Sequence, residues 1–334
     1  MRWVTFCRLF FVSESALAAL INLFVLVSVW RRRIDVNAST YRIGITVMSL
    51  SAIFQALLQC FTITIHQIHD NVYTLVQLGP TGWMSEGARE VCTVLTQTCI
   101  FLMWEWIPAS CILQYLALCR PRYSNSKRLF IAYAYCLVCI CVCFPFSVTF
   151  VNEKAWDRYV QDAVRMVQGI EANEQVFGYG ATTNVVAENN NRTIWPFVFV
   201  ASASYVWSYG AFVVTTVLIY RALRTDGVKL TKKTLAMQRR FWKMLVLQGF
   251  VPLLVCGFPV TLFIGNIIAG TSMDRSTIIM TCGIFAAPNV QGLVSLSFVR
   301  RIKKKEEPSE SNSDSKNRRA SSSRTATRPV ESGL

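Results

Sequence analysis

The 334-residue chain carries 34 Lys and Arg against 19 Asp and Glu, a formal net charge of +15, and 53% of it is hydrophobic. Charged residues make up 16%, against about 25% in an average soluble domain, and the mean hydropathy is +0.37. This excludes a soluble globule with a charge-speckled surface, and two histidines leave little room for a His-based metal site or a Ser-His-Asp hydrolase.

A helix that spans a bilayer needs about 20 mostly apolar residues. Seven runs qualify in chain order: Phe10–Trp30, Ile43–His66, Cys92–Leu118, Leu129–Phe150, Trp195–Tyr220, Met244–Ile268 and Thr277–Val299. Each must be helical, because a backbone amide in lipid has no water to bond. The first run has basic residues before it, as a signal peptide does. It is longer than a signal peptide's apolar core, however, and Arg31, Arg32 and Arg33 follow it like a stop-transfer signal, so it reads as a retained helix. From Arg300 to Leu334 the composition turns to Lys, Arg, Glu and Ser. Such a segment cannot bury enough apolar surface to offset its ordering entropy, and it reads as a disordered tail.

Lys and Arg gather in short loops on the cytoplasmic side. With the N-terminus outside, the inner segments hold 26 of the 34 basic residues and the outer segments 8, with none inside a span. The expected architecture is therefore an all-α membrane protein, a seven-transmembrane helix bundle with the N-terminus outside and the C-terminus cytoplasmic, in the plasma membrane. The positive charge is then a topology and lipid-anchoring signal beside anionic headgroups, and no nucleic-acid partner is expected. Asn191-Arg192-Thr193 in the long outer connection is a glycosylation sequon. In the tail, Arg318-Arg319-Ala320-Ser321 has the form of a basophilic kinase site, with Ser321 as the acceptor.

Several residues stand out against this frame. Glu105 sits near the middle of the third span between Trp104 and Trp106. A carboxylate there costs about 2.5–3.5 kcal/mol on insertion scales, so it faces a cavity or a partner. It reads either as a ligand-facing acid or polar switch, or as a protonated carboxyl bonded to a neighbouring helix, with Gln248 or Asn22 as partner. The candidate pocket residues are Glu105, Trp106, Gln248, Tyr205 and Tyr209, the two tyrosines one turn apart. Pro252 and Pro259 in the sixth span remove backbone donors and make a kink or hinge. Arg239 and Arg240 lie just before that span, and Arg120, Arg122 and Tyr123 follow the third; these are the candidate contacts for a cytoplasmic partner. Cys136, Cys139, Cys141 and Cys143 read as small hydrophobes inside a span, so neither a metal nor a cofactor is expected. Cys7 and Cys92 both fall at the outer face, where a disulfide is redox-permissible. His66, with Asp70 one turn on, reads as an interfacial cap at the end of the second span.

Two patches carry a family resemblance. Thr234 to Val260 opens on a basic amphipathic entry, passes through Leu245-Val-Leu-Gln248 and ends with Pro252 and Pro259 seven residues apart. It resembles the sixth-helix signature of nematode serpentine chemoreceptors, the str/srd group. Tyr115-Leu-Ala-Leu-Cys-Arg-Pro121 resembles that group's end of helix three. Two positions depart: Leu113-Gln114-Tyr115 stands where the group carries Tyr-Arg-Tyr, and Pro288-Asn-Val-Gln-Gly292 where it often carries Pro-x-x-Asp-Pro. The resemblance implies an orphan chemosensory receptor that binds an external small molecule, couples to a heterotrimeric G protein and resides in a sensory cilium. The rival reading is a transporter or channel-like subunit, but the chain shows neither an internal repeat nor a path of intramembrane charges. A membrane enzyme would need a nucleophile–base pair that is not visible.

Overall fold

The computed structural model describes residues 3–31, 39–69, 72–120, 122–151, 161–162, 164–166, 169–170, 177–184, 193–224, 232–271 and 278–306. Asn191 and Ser321, the expected glycan and phosphate acceptors, lie outside the described residues, as does the chain beyond Glu306. Seven helices are long and apolar enough to cross a membrane. They are α1 (Trp3–Trp30), α2 (Ser39–Thr62), α3 (Glu86–Cys119), α4 (Asn125–Val151), α5 (Trp195–Arg224), α6 and α7 (Ile278–Glu306). α6 has two α-helical parts, Lys232–Pro252 and Phe258–Ala269, joined by a π-helical turn at Leu253–Gly257.

Each expected span falls on one of these helices, but the ends differ. Hydropathy marks where side chains meet lipid, whereas a helix continues for as long as its backbone bonds are made. α6 therefore starts at Lys232, among charged residues, and α7 runs through the Arg300–Glu306 stretch expected to belong to the tail. α2 instead stops short, at Thr62. Ile63 takes a positive φ of 40°, costly for a β-branched residue, and turns the chain into a strand. Its carbonyl accepts from Leu78 N at 3.1 Å, while the Thr62 carbonyl accepts from Gly79 N at 3.1 Å. α6 ends on Gly270 in the left-handed conformation, φ 64° and ψ 25°. Gly270 N and Thr271 N donate to the carbonyls of Ile267 and Asn266, a Schellman-type stop.

The helices pack around α3, which touches α2, α4, α5 and α6; α1 lies against α2 and α7. α3 is the most enclosed of the seven, while α4 and α5 leave most of their apolar surface uncovered, as helices facing lipid do.

One end of the bundle carries a feature that the span pattern did not anticipate. β1 (Thr64–His69), β2 (Val72–Gln77) and β3 (Phe177–Thr182) form an antiparallel sheet in the order β1-β2-β3. β1 pairs with β2 from Thr64↔Gln77 to His69↔Val72, and β2 with β3 from Val72↔Thr182 to Gln77↔Phe177. β1 packs on α7 and β3 on α4. The signal was local: Val72-Tyr-Thr-Leu-Val is β-branched and aromatic, and two turn formers, Asp70 and Asn71, precede it. This is the sheet end. The opposite, basic end is where α3 and α5 finish and α6 begins.

Candidate functional site

Glu105, midway along α3, is 1% exposed. Its Oε1 accepts hydrogen bonds from Ser204 Oγ at 2.9 Å and from Ser208 Oγ. The two serines stand one turn apart on α5, so a single carboxylate oxygen spans both. Tyr135 and Cys139 of α4 also face this carboxylate. Cys136 of α4 donates its thiol to the Glu105 backbone carbonyl at 3.6 Å, so three helices meet here. Neither Gln248 nor Asn22, the partners expected from sequence, reaches Glu105. Gln248 Nε2 donates to Ser295 Oγ on α7 at 2.7 Å, and Asn22 Nδ2 donates to the carbonyls of Ala18 and Pro288 at 2.9 and 3.1 Å. Ser204 and Ser208 form an i, i+4 hydroxyl pair in the sequence, the signal that points to them.

The five expected pocket residues do not converge. Trp106 Nε1 donates to Ser51 Oγ on α2 at 2.7 Å, and its ring meets Tyr133 edge-on at 5.7 Å. Tyr205 meets Trp104 edge-on at 5.4 Å and Tyr209 at 4.5 Å. Glu105, Tyr205 and Tyr209 thus share the α3–α5 side, whereas Trp106 faces α2 and α4 and Gln248 faces α7.

The α6 π turn lies directly between Pro252 and Pro259. A π turn widens the helix by one residue per turn, which accommodates the missing proline donors. Two glycines let neighbours close on it. A methyl group at Gly257 would overlap the Tyr205 hydroxyl, and one at Gly283 of α7 would overlap the Val255 carbonyl. The turn is therefore gripped from α5 and α7 by contacts that only glycine permits.

At the basic end, Gln114 of α3 is 1% exposed and donates Nε2 to the Gln238 carbonyl of α6 at 3.2 Å. Two further bonds tie α6 to α5: Trp242 Nε1 to the Thr216 carbonyl at 3.2 Å and Arg239 Nη2 to the Leu223 carbonyl at 3.4 Å. Arg120, Arg122, Arg239 and Arg240 are exposed and Tyr123 half-buried, with Lys127 Nζ 4.4 Å from its ring centroid. The expected partner contacts therefore do share one end of the bundle.

At the sheet end, His66 is not a helix cap but a buried residue of β1, because α2 has already ended. Its Nδ1 shares a hydrogen bond with the Tyr73 hydroxyl of β2 at 2.6 Å. Burial pulls His66 down to about 4 and pushes Tyr73 upward, so the imidazole is neutral at physiological pH. Below His66, a pocket opens between α2, β1, α3 and α7. Cys7 and Cys92 are both free thiols, Cys7 buried; the disulfide considered from sequence is not formed.

Among families of known proteins, the model for the serpentine type 7TM GPCR chemoreceptor Str matches residues 9–305. The chain belongs to this family. It is a family of receptors, not of enzymes, and it accounts for the seven apolar helices in a multi-pass membrane protein. No curated protein matches the chain. In this serpentine chemoreceptor the departure at Leu113-Gln114-Tyr115 has a structural counterpart: an uncharged amide at 114 makes the α3–α6 contact at the basic end. Such a bond is worth roughly 0.5–1.5 kcal/mol.

Proposed function

We propose that this chain is a plasma-membrane chemosensory receptor, its N-terminus and sheet end outside, that turns binding of an external small molecule into activation of a heterotrimeric G protein. The family match carries the reading. The charge asymmetry supports the orientation, since basic loops stay cytoplasmic. α6 supports the mechanism: it has a π turn bracketed by prolines, glycine contacts on both sides and, among the described residues, one neutral hydrogen bond from α3 at its basic end. A ligand that favours an outward-swung α6 shifts the population by its differential affinity. The swing breaks the Gln114–Gln238 bond and opens a groove rimmed by Arg120, Arg122, Tyr123, Arg239 and Arg240. Glu105 acts in this scheme as the polar couple between α3 and α5, with Tyr205 passing movement of α5 to the π turn. Anionic inner-leaflet lipid holds the remaining basic side chains.

The test is a cell line co-expressing the chain with chimeric G-protein reporters, challenged with a panel of volatile and water-soluble small molecules. A concentration-dependent signal that needs the chain, together with an N-terminal tag stained in intact cells, is the expected result. A tag at Leu334 stained without permeabilisation overturns the orientation. A ligand-evoked current in cells lacking G proteins overturns the coupling.

A further inference from the structure

α1 and α7 run in the same direction and meet along a seam that reaches the sheet end. The Phe11 ring of α1 lies 4.5 Å from the Phe285 ring of α7, and Asn289 Nδ2 donates to the Glu14 carbonyl at 3.1 Å. The numbers rise together on both helices, so the register is parallel. Cys7 stands four residues before Phe11, and Cys282 three before Phe285. Residues three and four apart share a helix face, which carries both thiols to the next contact along the seam. They pack in one apolar cluster with Val4, Phe11, Ile65 and Leu78. The two sulfurs are close enough to act on each other electrostatically.

We infer that Cys7 and Cys282 are a disulfide-forming pair that staples the first turns of α1 to the first turns of α7. The inference rests on the reading that puts the sheet end outside, since thiols oxidise in the secretory lumen and at the cell surface and stay reduced in the cytosol.

The packing permits the bond. Packed helices have axes about 8–10 Å apart and backbone radii of about 2.3 Å. That leaves about 3.5–5.5 Å between facing Cα atoms, which overlaps the span of about 4.4–6.8 Å that a disulfide takes. A buried thiol by itself is a small apolar group. This pair differs because one member can be reached: Cys282 is half-buried and Cys7 fully buried. The Cys282 thiol loses its proton and attacks a disulfide-bearing oxidant of the secretory pathway, forming a mixed disulfide and releasing one oxidant thiol. The Cys7 sulfur, losing its own proton, then displaces the second oxidant sulfur. Two electrons and two protons pass from the pair to the oxidant, which leaves as a dithiol.

Its position gives the staple a mechanical meaning. Gly283, next to Cys282, is where the lack of a side chain lets α7 close on the Val255 carbonyl at the π turn. Arg8, next to Cys7, donates Nε to the Leu78 carbonyl just after β2 at 2.8 Å. The bond therefore joins the part of α1 that is anchored on the hairpin to the turn of α7 that grips α6.

The full chain is expressed in animal cells, denatured with N-ethylmaleimide present, digested with trypsin without reductant and read by mass spectrometry. Cys7 is the one cysteine of the peptide Trp3–Arg8 and Cys282 that of Ser276–Arg300, so their link has its own mass. That linked peptide, lost on adding dithiothreitol, is the expected result. Both peptides carrying maleimide overturn the inference, as does a link from Trp3–Arg8 to the peptide holding Cys60 or Cys92. Cys7→Ser and Cys282→Ser should each lower the melting temperature in detergent by about 5 °C. The double variant should fall no further, since one bond is broken only once; additive losses would mean two independently packed thiols and overturn it too. An N-terminal tag reads the orientation alone. A tag stained only in permeabilised cells sinks that reading while the linked peptide still supports the pair, so the two fail separately.

Discussion

At the sheet end, Gln59, Thr64 and Thr281 are buried, uncharged and partly unpaired beneath a hairpin whose His66 is neutral. At the basic end, arginines are exposed, and one neutral amide bond from Gln114 holds α6 against α3. The first end keeps its polar groups buried, where a hydrogen bond is strong and its absence costly. The second keeps its charges in water, where individual pairs count for little. The two ends therefore differ in what holds them: buried uncharged groups at one, exposed charges at the other. Perturbing each end separately should therefore give effects of different size and kind.

The largest effect is expected at Gly79, which follows β2. A methyl group there would overlap the Phe61 carbonyl and the Thr62 backbone at the end of α2, neither of which can move without breaking the Leu78 and Gly79 bonds to the turn. Gly79→Ala should cost about 3 kcal/mol, the upper end for overpacking, and read as an early thermal transition in detergent with poor surface display. Full stability would show that the hairpin is not locked onto α2.

Acid should separate the ends next. Unfolded His66 titrates near 6.5, whereas the folded imidazole resists protonation down to about 4. Between those values the unfolded chain binds more protons, so stability falls as pH is lowered from 6.5 towards 4, by about 3 kcal/mol over the whole window. Above 6.5 the slope vanishes. Arginine keeps its charge throughout this range, so contacts at the basic end should not respond. Thermal unfolding followed against pH, with His66→Gln flattening the curve, checks the assignment. An unchanged slope in the variant would move the sensitivity elsewhere.

Between the ends, Glu105→Ala should leave the Ser204 and Ser208 hydroxyls without their acceptor. A cost of about 2 kcal/mol is expected for these buried groups, and less for Glu105→Gln, which retains a carbonyl oxygen. Unfolding of the two variants side by side measures the difference. Equal loss in both would mean that the negative charge, and not the acceptor, holds α3 to α5.

The helices were legible in the sequence because lipid imposes one rule on every span: about 20 apolar residues with all backbone bonds satisfied internally. Charge then drew the loops. Side-chain partnerships followed no such rule. Glu105 was recognisable as costly, but any polar residue on an adjacent helix could have satisfied it, and Ser204 and Ser208 differ little in sequence from Gln248 or Asn22. The sheet escaped because each of its strands is six residues long and β3 comes about a hundred residues after β2. Hydropathy over a long window blends β1 into α2, so that His66 falls at the end of an apolar run although α2 stops at Thr62.

The smallest effect belongs to the basic end and is kinetic in character. Gln114→Leu keeps the volume of the side chain roughly constant, removes the donor to the Gln238 carbonyl and also removes a buried amide oxygen that lacks a partner. Those changes oppose each other in folding, so the melting temperature should barely move. The α3–α6 tie is lost all the same, and about 1 kcal/mol shifts a two-state equilibrium roughly fivefold towards the open form. Ligand-independent G-protein signalling should rise by that factor, while half-maximal ligand concentration falls, because less binding energy is needed to reach the same open population. Gln248→Leu, which loses the Ser295 bond higher on α6, separates the possibilities: a rise in basal signalling as large as that of Gln114→Leu would mean that α6 is held along its length and not at its basic end.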